Sequence, residues 1–130
     1  MMPTLVIIAQ SIPPEAFLLF LQSKNMKQID TYDGYRGNAH DGVHIKMNPE
    51  SLTAIREDYP ALWQTMCSFF QTEPQTSIII DLFRTNTSKE LALEFVQSMS
   101  ECWKIILLDE YYTLYSDTMI KTLQHTDMEW

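Results

Sequence analysis

Leu5-Val6-Ile7-Ile8-Ala9, followed after Gln10 by Ser11-Ile12-Pro13-Pro14-Glu15-Ala16-Phe17-Leu18-Leu19-Phe20-Leu21, decides the fold class. The first five residues are a continuous apolar run rich in β-branched side chains, the pattern of a strand buried on both faces. Ser11 is placed to cap a helix, and Pro13 and Pro14 fit only a first helical turn, where their missing N–H groups would lack partners anyway. A helix over about 13–24 is therefore predicted, and its apolar residues cover most of the circumference, so it should be buried on more than one side. A two-sided strand leading straight into a buried helix is the opening of an α/β layer structure.

Two further apolar runs repeat the strand signal: Ser77-Ile78-Ile79-Ile80-Asp81-Leu82-Phe83 and Ile105-Ile106-Leu107-Leu108. Residues 26–32 alternate weakly, and Val43-His44-Ile45-Lys46-Met47 alternates cleanly, so these two segments read as paired strands. Between them, residues 33–42 hold all three glycines of the chain and read as a loop. Asn48-Pro49 is a helix start, and Leu52, Ile55, Tyr59, Leu62, Trp63, Met66, Phe69 and Phe70 recur at helical spacing. Pro60 interrupts that stripe, which predicts a kink or two consecutive helices with Asp58 capping the second. Thr87 and Glu90 form a capping box ahead of a helix with Ala92, Phe95, Val96, Met99 and Trp103 on one face. Residues 111–115 read as a strand-like piece or a turn, 116–124 as a helix through Met119, Ile120 and Leu123, and 125–130 as a frayed end.

The expectation is one α/β (α+β) domain over residues 1–130, in the order β-α-β-β-α(α)-β-α-β-α. A mixed sheet of four to five strands, with some parallel pairs, would be packed by three to four helices. The opening β-α-β-β-α-β is similar in element order to the split arrangement of ferredoxin-like folds.

Composition bounds the function. The chain has 130 residues, 45% hydrophobic and 20% charged, ordinary for a globular domain. No apolar run approaches the roughly 20 residues of a membrane span, and the start lacks the basic residues of a signal peptide, so a cytoplasmic protein is expected. Cys67 and Cys102 both fall in amphipathic helical patterns, where free thiols act as small hydrophobes, and no disulfide is expected. The net charge is −8, concentrated in residues 89–130, where three lysines face eight acids. Such a field repels phosphate backbones and steers basic proteins inward, which disfavours nucleic acid and favours a basic protein partner.

No glycine lies outside residues 34–42, so no phosphate-binding loop is present, and no serine or cysteine sits in a nucleophile motif. Catalytic residues, a cofactor and a bound metal are therefore not expected. Two segments remain as candidate sites. The glycine loop brings together Asp30, Asp33, Arg36, His40, Asp41 and His44, residue types that hold divalent metals, but the spacing matches no metal motif and turn formation is the simpler reading. Tyr32, Tyr35 and Arg36 there are also the types that dominate protein interfaces. The second segment, Asp109-Glu110-Tyr111-Tyr112-Thr113-Leu114-Tyr115-Ser116-Asp117, interleaves tyrosines with acids just beyond a buried strand. It suits a basic protein surface through charge-assisted hydrogen bonds and amphipathic contact area, although the same residues can also form a solvated edge packed on the core. Asp81 and Asp109, each at an apolar strand run, form a possible acid/base or Mg²⁺ pair. The stripe containing Trp63, Met66 and Phe69 reads as core.

In its small, acidic α/β build and its acid-and-tyrosine stretch, the chain resembles bacterial immunity proteins, which neutralise toxin domains delivered between competing cells. That resemblance is one of character and carries no residue roles. It implies cytoplasmic binding of a cognate toxin through a charged surface. Two alternatives stay open. Residues 78–82 resemble the central strand of anti-sigma-antagonist or receiver-like regulatory domains, though the acidic cluster and serine-glycine turn of those modules are missing. A small metal-dependent enzyme would require Asp30, His40 and His44 to converge.

Overall fold

A computed structural model of the chain describes residues 4–24, 27–31, 34–39, 43–82, 86–124 and 127, with the backbone alone for 27–31, 34–39 and 86. Its twelve elements are, in chain order, β1 (Thr4–Ala9), α1 (Pro14–Ser23), β2 (Lys27–Thr31), β3 (Gly34–Ala39), β4 (Val43–Met47), α2 (Glu50–Asp58), α3 (Pro60–Phe70), β5 (Thr76–Asp81), α4 (Asn86–Cys102), β6 (Ile105–Leu108), β7 (Leu114–Tyr115) and α5 (Asp117–Thr122). The strands form one seven-stranded sheet in the order β2-β3-β4-β5-β1-β6-β7.

The α/β (α+β) class read from the sequence holds, but the expected parallel pairs do not occur. All six pairings are antiparallel. Of the helical connections, α4 joins two parallel strands with a third inserted between them, whereas α2 and α3 join β4 to its direct antiparallel neighbour β5. β5 and β6 are both antiparallel to β1, so they run parallel to each other on either side of it, joined by α4. Likewise β1 and β4 flank β5. The central order β4-β5-β1-β6 is thus the split arrangement, built from different strands than the element order suggests. The sheet is also larger than expected. The glycine stretch is itself a strand, β3, paired on both sides to make a β2-β3-β4 meander. β7 adds a two-residue edge.

β1 explains the layers. Its residues alternate between faces as a strand must. Leu5, Ile7 and Ala9 pack against α1, α4 and α5, with Phe17, Phe95, Met99 and Ile120 in the same cluster. Val6 and Ile8 pack on the other face against Ile55 of α2 and Trp63, Met66 and Phe70 of α3. Each fully buried side chain of this size stabilises by about 1.5–3 kcal/mol, so a strand apolar on both faces anchors two helix layers at once. The Trp63-Met66 stripe is core, as its spacing indicates.

The helix boundaries depart from the expected capping. α1 is capped by the backbone of Pro13, without a side-chain cap from Ser11. Asn48 does serve α2, its Oδ1 accepting the Glu50 N–H at 3.1 Å. Pro60 breaks the long stripe into two helices. Asp58 does not cap the second: it ends α2, and the junction residue Tyr59 has a backbone that is neither helical nor extended, at φ −133°, ψ 66°. Thr87 is already inside the first turn of α4, so the Thr87–Glu90 spacing does not mark that helix's start.

Candidate protein-binding site

The acid-and-tyrosine stretch forms the turn from β6 through β7 into α5, and one carboxylate organises it. Asp109 is buried, at 1% exposure. Its Oδ1 accepts the backbone N–H groups of Tyr111 at 2.9 Å and Thr113 at 3.0 Å, and its Oδ2 accepts the Tyr115 hydroxyl at 3.2 Å. Its own backbone closes the turn, accepting from Tyr112 N–H at 3.0 Å and donating to the Thr113 carbonyl at 3.2 Å. An aspartate that bonds backbone two and four residues on is a built-in turn former. Asp109 and Tyr115 were candidates for partner contact, and the structure gives both a different task. The carboxylate is spent inside the turn, and the Tyr115 ring is buried in the core under α5.

What the turn presents is the rest of the stretch. Tyr111 is 66% exposed. Glu110 is half-buried beside it. Tyr112 takes a left-handed backbone, φ 60°, which costs a non-glycine residue energy and is held here by the Asp109 bonds. The Tyr112 ring packs against the second core cluster and meets the Tyr59 ring, centroids 4.8 Å apart and tilted 59°. Burial pushes the Tyr112 phenol above its ordinary value, with Tyr59 and Asp58 adding to the rise. Asp117 sits in the first turn of α5, its Oδ1 accepting from the Thr118 N–H at 2.9 Å.

The sequence reading missed the other half of this surface. The α2–α3 junction brings Asp58, exposed, and Tyr59, 46% exposed, to the β6–β7 turn. The signal for it was Pro60: a proline that breaks a helical stripe turns the residue before it out of the stripe. Tyr59 counted as a core position on spacing, yet the break leaves it at the rim. Two distant segments thus meet at one rim, a platform of Asp58 and Tyr59 against Tyr112, with Glu110 and Tyr111 the preceding residues of the same turn.

The glycine segment is arranged differently from the loop expected. Tyr35 and Arg36 are neighbours on β3, so they belong to opposite faces of the sheet, with Arg36 in register with Lys46 and Tyr35 with Asp30. Tyr32, Asp33, His40 and Asp41 lie outside the described residues. His44 falls in β4, directly opposite Asp81 of β5, whose Oδ1 accepts the Thr4 hydroxyl at 2.8 Å from the next strand. Asp81 and Asp109 do not form a pair. Asp81 shares its face of the sheet with Ser77 and Ile79, whereas Asp109 is bonded to Tyr115 in the opposite core. Among the described residues, no group of three or more His, Cys, Asp or Glu side chains is placed to hold a metal ion. Cys67 and Cys102 are free thiols, and burial raises the Cys67 thiol, with Glu73 adding to it.

Two shallow clefts of about 290 and 300 Å³ flank the β1–α1 connection and share Ser11 and Ile12. The first is closed by Trp103 and Lys104, but the Lys104 ammonium is occupied, donating to the Phe69 carbonyl at 2.9 Å at the end of α3. The second is walled by Pro13, Pro14, Pro49 and Met47. Neither converges titratable groups on a common point. Among the described residues, no helix is long and apolar enough to cross a membrane. No family model, curated protein or solved structure matches the chain, so the platform's chemistry must be read from its own residues.

Proposed function

We propose that the chain is a small cytoplasmic protein-binding domain of the immunity type, which neutralises a basic partner by covering its working surface. The observation that carries this reading is the exposed acid–tyrosine platform on a turn fixed from within by Asp109. Tyrosines supply large contact area with few rotatable bonds, and a turn that is already rigid loses little entropy on binding. Acids around them favour a basic protein and speed its approach. The net charge of −8 acts in the same direction over longer range.

The reading is tested by retention of partners from the native cell at low and moderate salt, with Asp58→Asn and Tyr59→Leu as controls. A single basic protein retained by the parent chain, weakened by salt and lost in both variants, is expected. Retention that ignores both substitutions would remove the platform as the binding surface.

A further inference from the structure

We infer that the group this platform takes from its partner is the guanidinium of an arginine, seated on the Tyr59 ring with Asp58 as its carboxylate. The inference rests on the protein-binding reading above and narrows it from a basic surface to one side chain.

Several sources of negative potential meet at the end of α2. Asp58 is its last residue and Glu57 the one before, both exposed, at the helix end whose carbonyls already carry partial negative charge. The next helix does not relieve this as a continuous one would, because Pro60 brings no N–H to the carbonyl of Arg56 four residues back. Acids are disfavoured at a helix C-terminus, so α2 itself gains nothing from Asp58, while the start of α3 two residues on is a helix end that favours an acid. The nearest cation in sequence is turned elsewhere: the Arg56 guanidinium lies over the Trp63 ring at 5.8 Å. Among the described residues, no lysine or arginine pairs with Asp58. A cation supplied from outside would satisfy the carboxylate and the helix end together.

The tyrosines select which cation. Tyr59 contacts Tyr112 on one side and keeps 46% of its surface open. A guanidinium is flat, weakly hydrated and able to stack on that open ring while giving two parallel N–H bonds to one carboxylate. An ammonium is a compact, strongly hydrated point charge and cannot do both as well. The Tyr112 ring beside it carries a hydroxyl that can both donate and accept.

The test uses two blocked peptides, Gly-Arg-Gly-Arg-Gly-Arg-Gly and its lysine counterpart, titrated into the full isotopically labelled chain at low ionic strength. The arginine peptide is expected to bind about fivefold more tightly, with shifts centred on Asp58, Tyr59 and Tyr112. Asp58→Asn and Tyr59→Leu should each abolish the preference while leaving the rest of the spectrum unchanged. Equal binding of the two peptides, a preference that survives both variants, or binding of neither peptide overturns the arginine assignment. The wider reading falls separately, only if the partner retained from cells ignores the same two variants.

Discussion

The two faces of β1 are written in one six-residue strand, yet the layers they support end differently. On the face of Leu5, Ile7 and Ala9, three helices close a large apolar cluster in which aromatic rings meet edge to face, Phe20 with Phe95 at 5.2 Å and with Trp103 at 5.5 Å. On the face of Val6 and Ile8, two helices joined at Pro60 cover a smaller cluster, whose rim is formed by Tyr59 and Tyr112 with acids beside them. The first layer holds the larger share of the buried side chains. The second places its helix break at the margin of its core, and the candidate site is what that break exposes. The two aspartates of the region show the same division: Asp109 is buried and serves the fold, whereas Asp58 is exposed.

The comparison can be broken first where it predicts the largest effect. Phe17 is fully buried in the thicker layer, and Phe17→Ala should cost about 3–5 kcal/mol in chemical denaturation through lost burial and a residual cavity. Partner binding by the fraction still folded should be unchanged. Asp109→Ala comes next, at about 3 kcal/mol, because it strands two backbone N–H groups and a buried phenol hydroxyl that now share one carboxylate. It should also weaken partner binding by releasing Tyr111 and Tyr112 from their fixed turn.

Asp58→Asn sharpens the contrast by nearly sparing stability. Removing the acid relieves the end of α2 and deprives the start of α3, two opposed effects of about 0.3–1 kcal/mol each, so stability should stay within about 1 kcal/mol of the parent. The same change should reduce partner affinity. The smallest effect concerns Tyr112. Its phenol is raised above the ordinary value of 10.0, so the folded chain keeps a proton that the unfolded chain gives up as pH climbs past that value. The stability this contributes is complete below the unfolded value of 10.0 and is lost as pH rises through the folded value. Tyr112→Phe should therefore show a shallower alkaline decline in urea midpoint than the parent.

Much of the framework could be read from local pattern. β1, β5 and β6 announce themselves as unbroken apolar runs, α4 as a stripe, and the α2–α3 break as a single proline. Strand direction could not be read in this way. A helix between two strands fixes neither their relative direction nor whether another strand comes between them: α4 joins the parallel β5 and β6 across β1, whereas α2 and α3 join β4 to its direct antiparallel neighbour β5. β3 was hidden because Gly34 and Gly37 carry no side-chain alternation, so its pairing with β2 and β4 supplies what its sequence lacks. The site was half legible. The acids and tyrosines of the β6–β7 turn stand out in sequence, but whether an aspartate there faces water or its own backbone depends on the turn it makes. Asp58 and Tyr59 join the platform only through packing between segments far apart in the chain, which no local pattern encodes.

The most direct test of the central claim is to measure, side by side, the partner affinity and folding stability of Asp58→Asn and Asp109→Asn. Loss of affinity with nearly unchanged stability in Asp58→Asn, and loss of stability in Asp109→Asn, is the result expected if the platform binds and the turn supports it. Full partner affinity in Asp58→Asn would contradict the account.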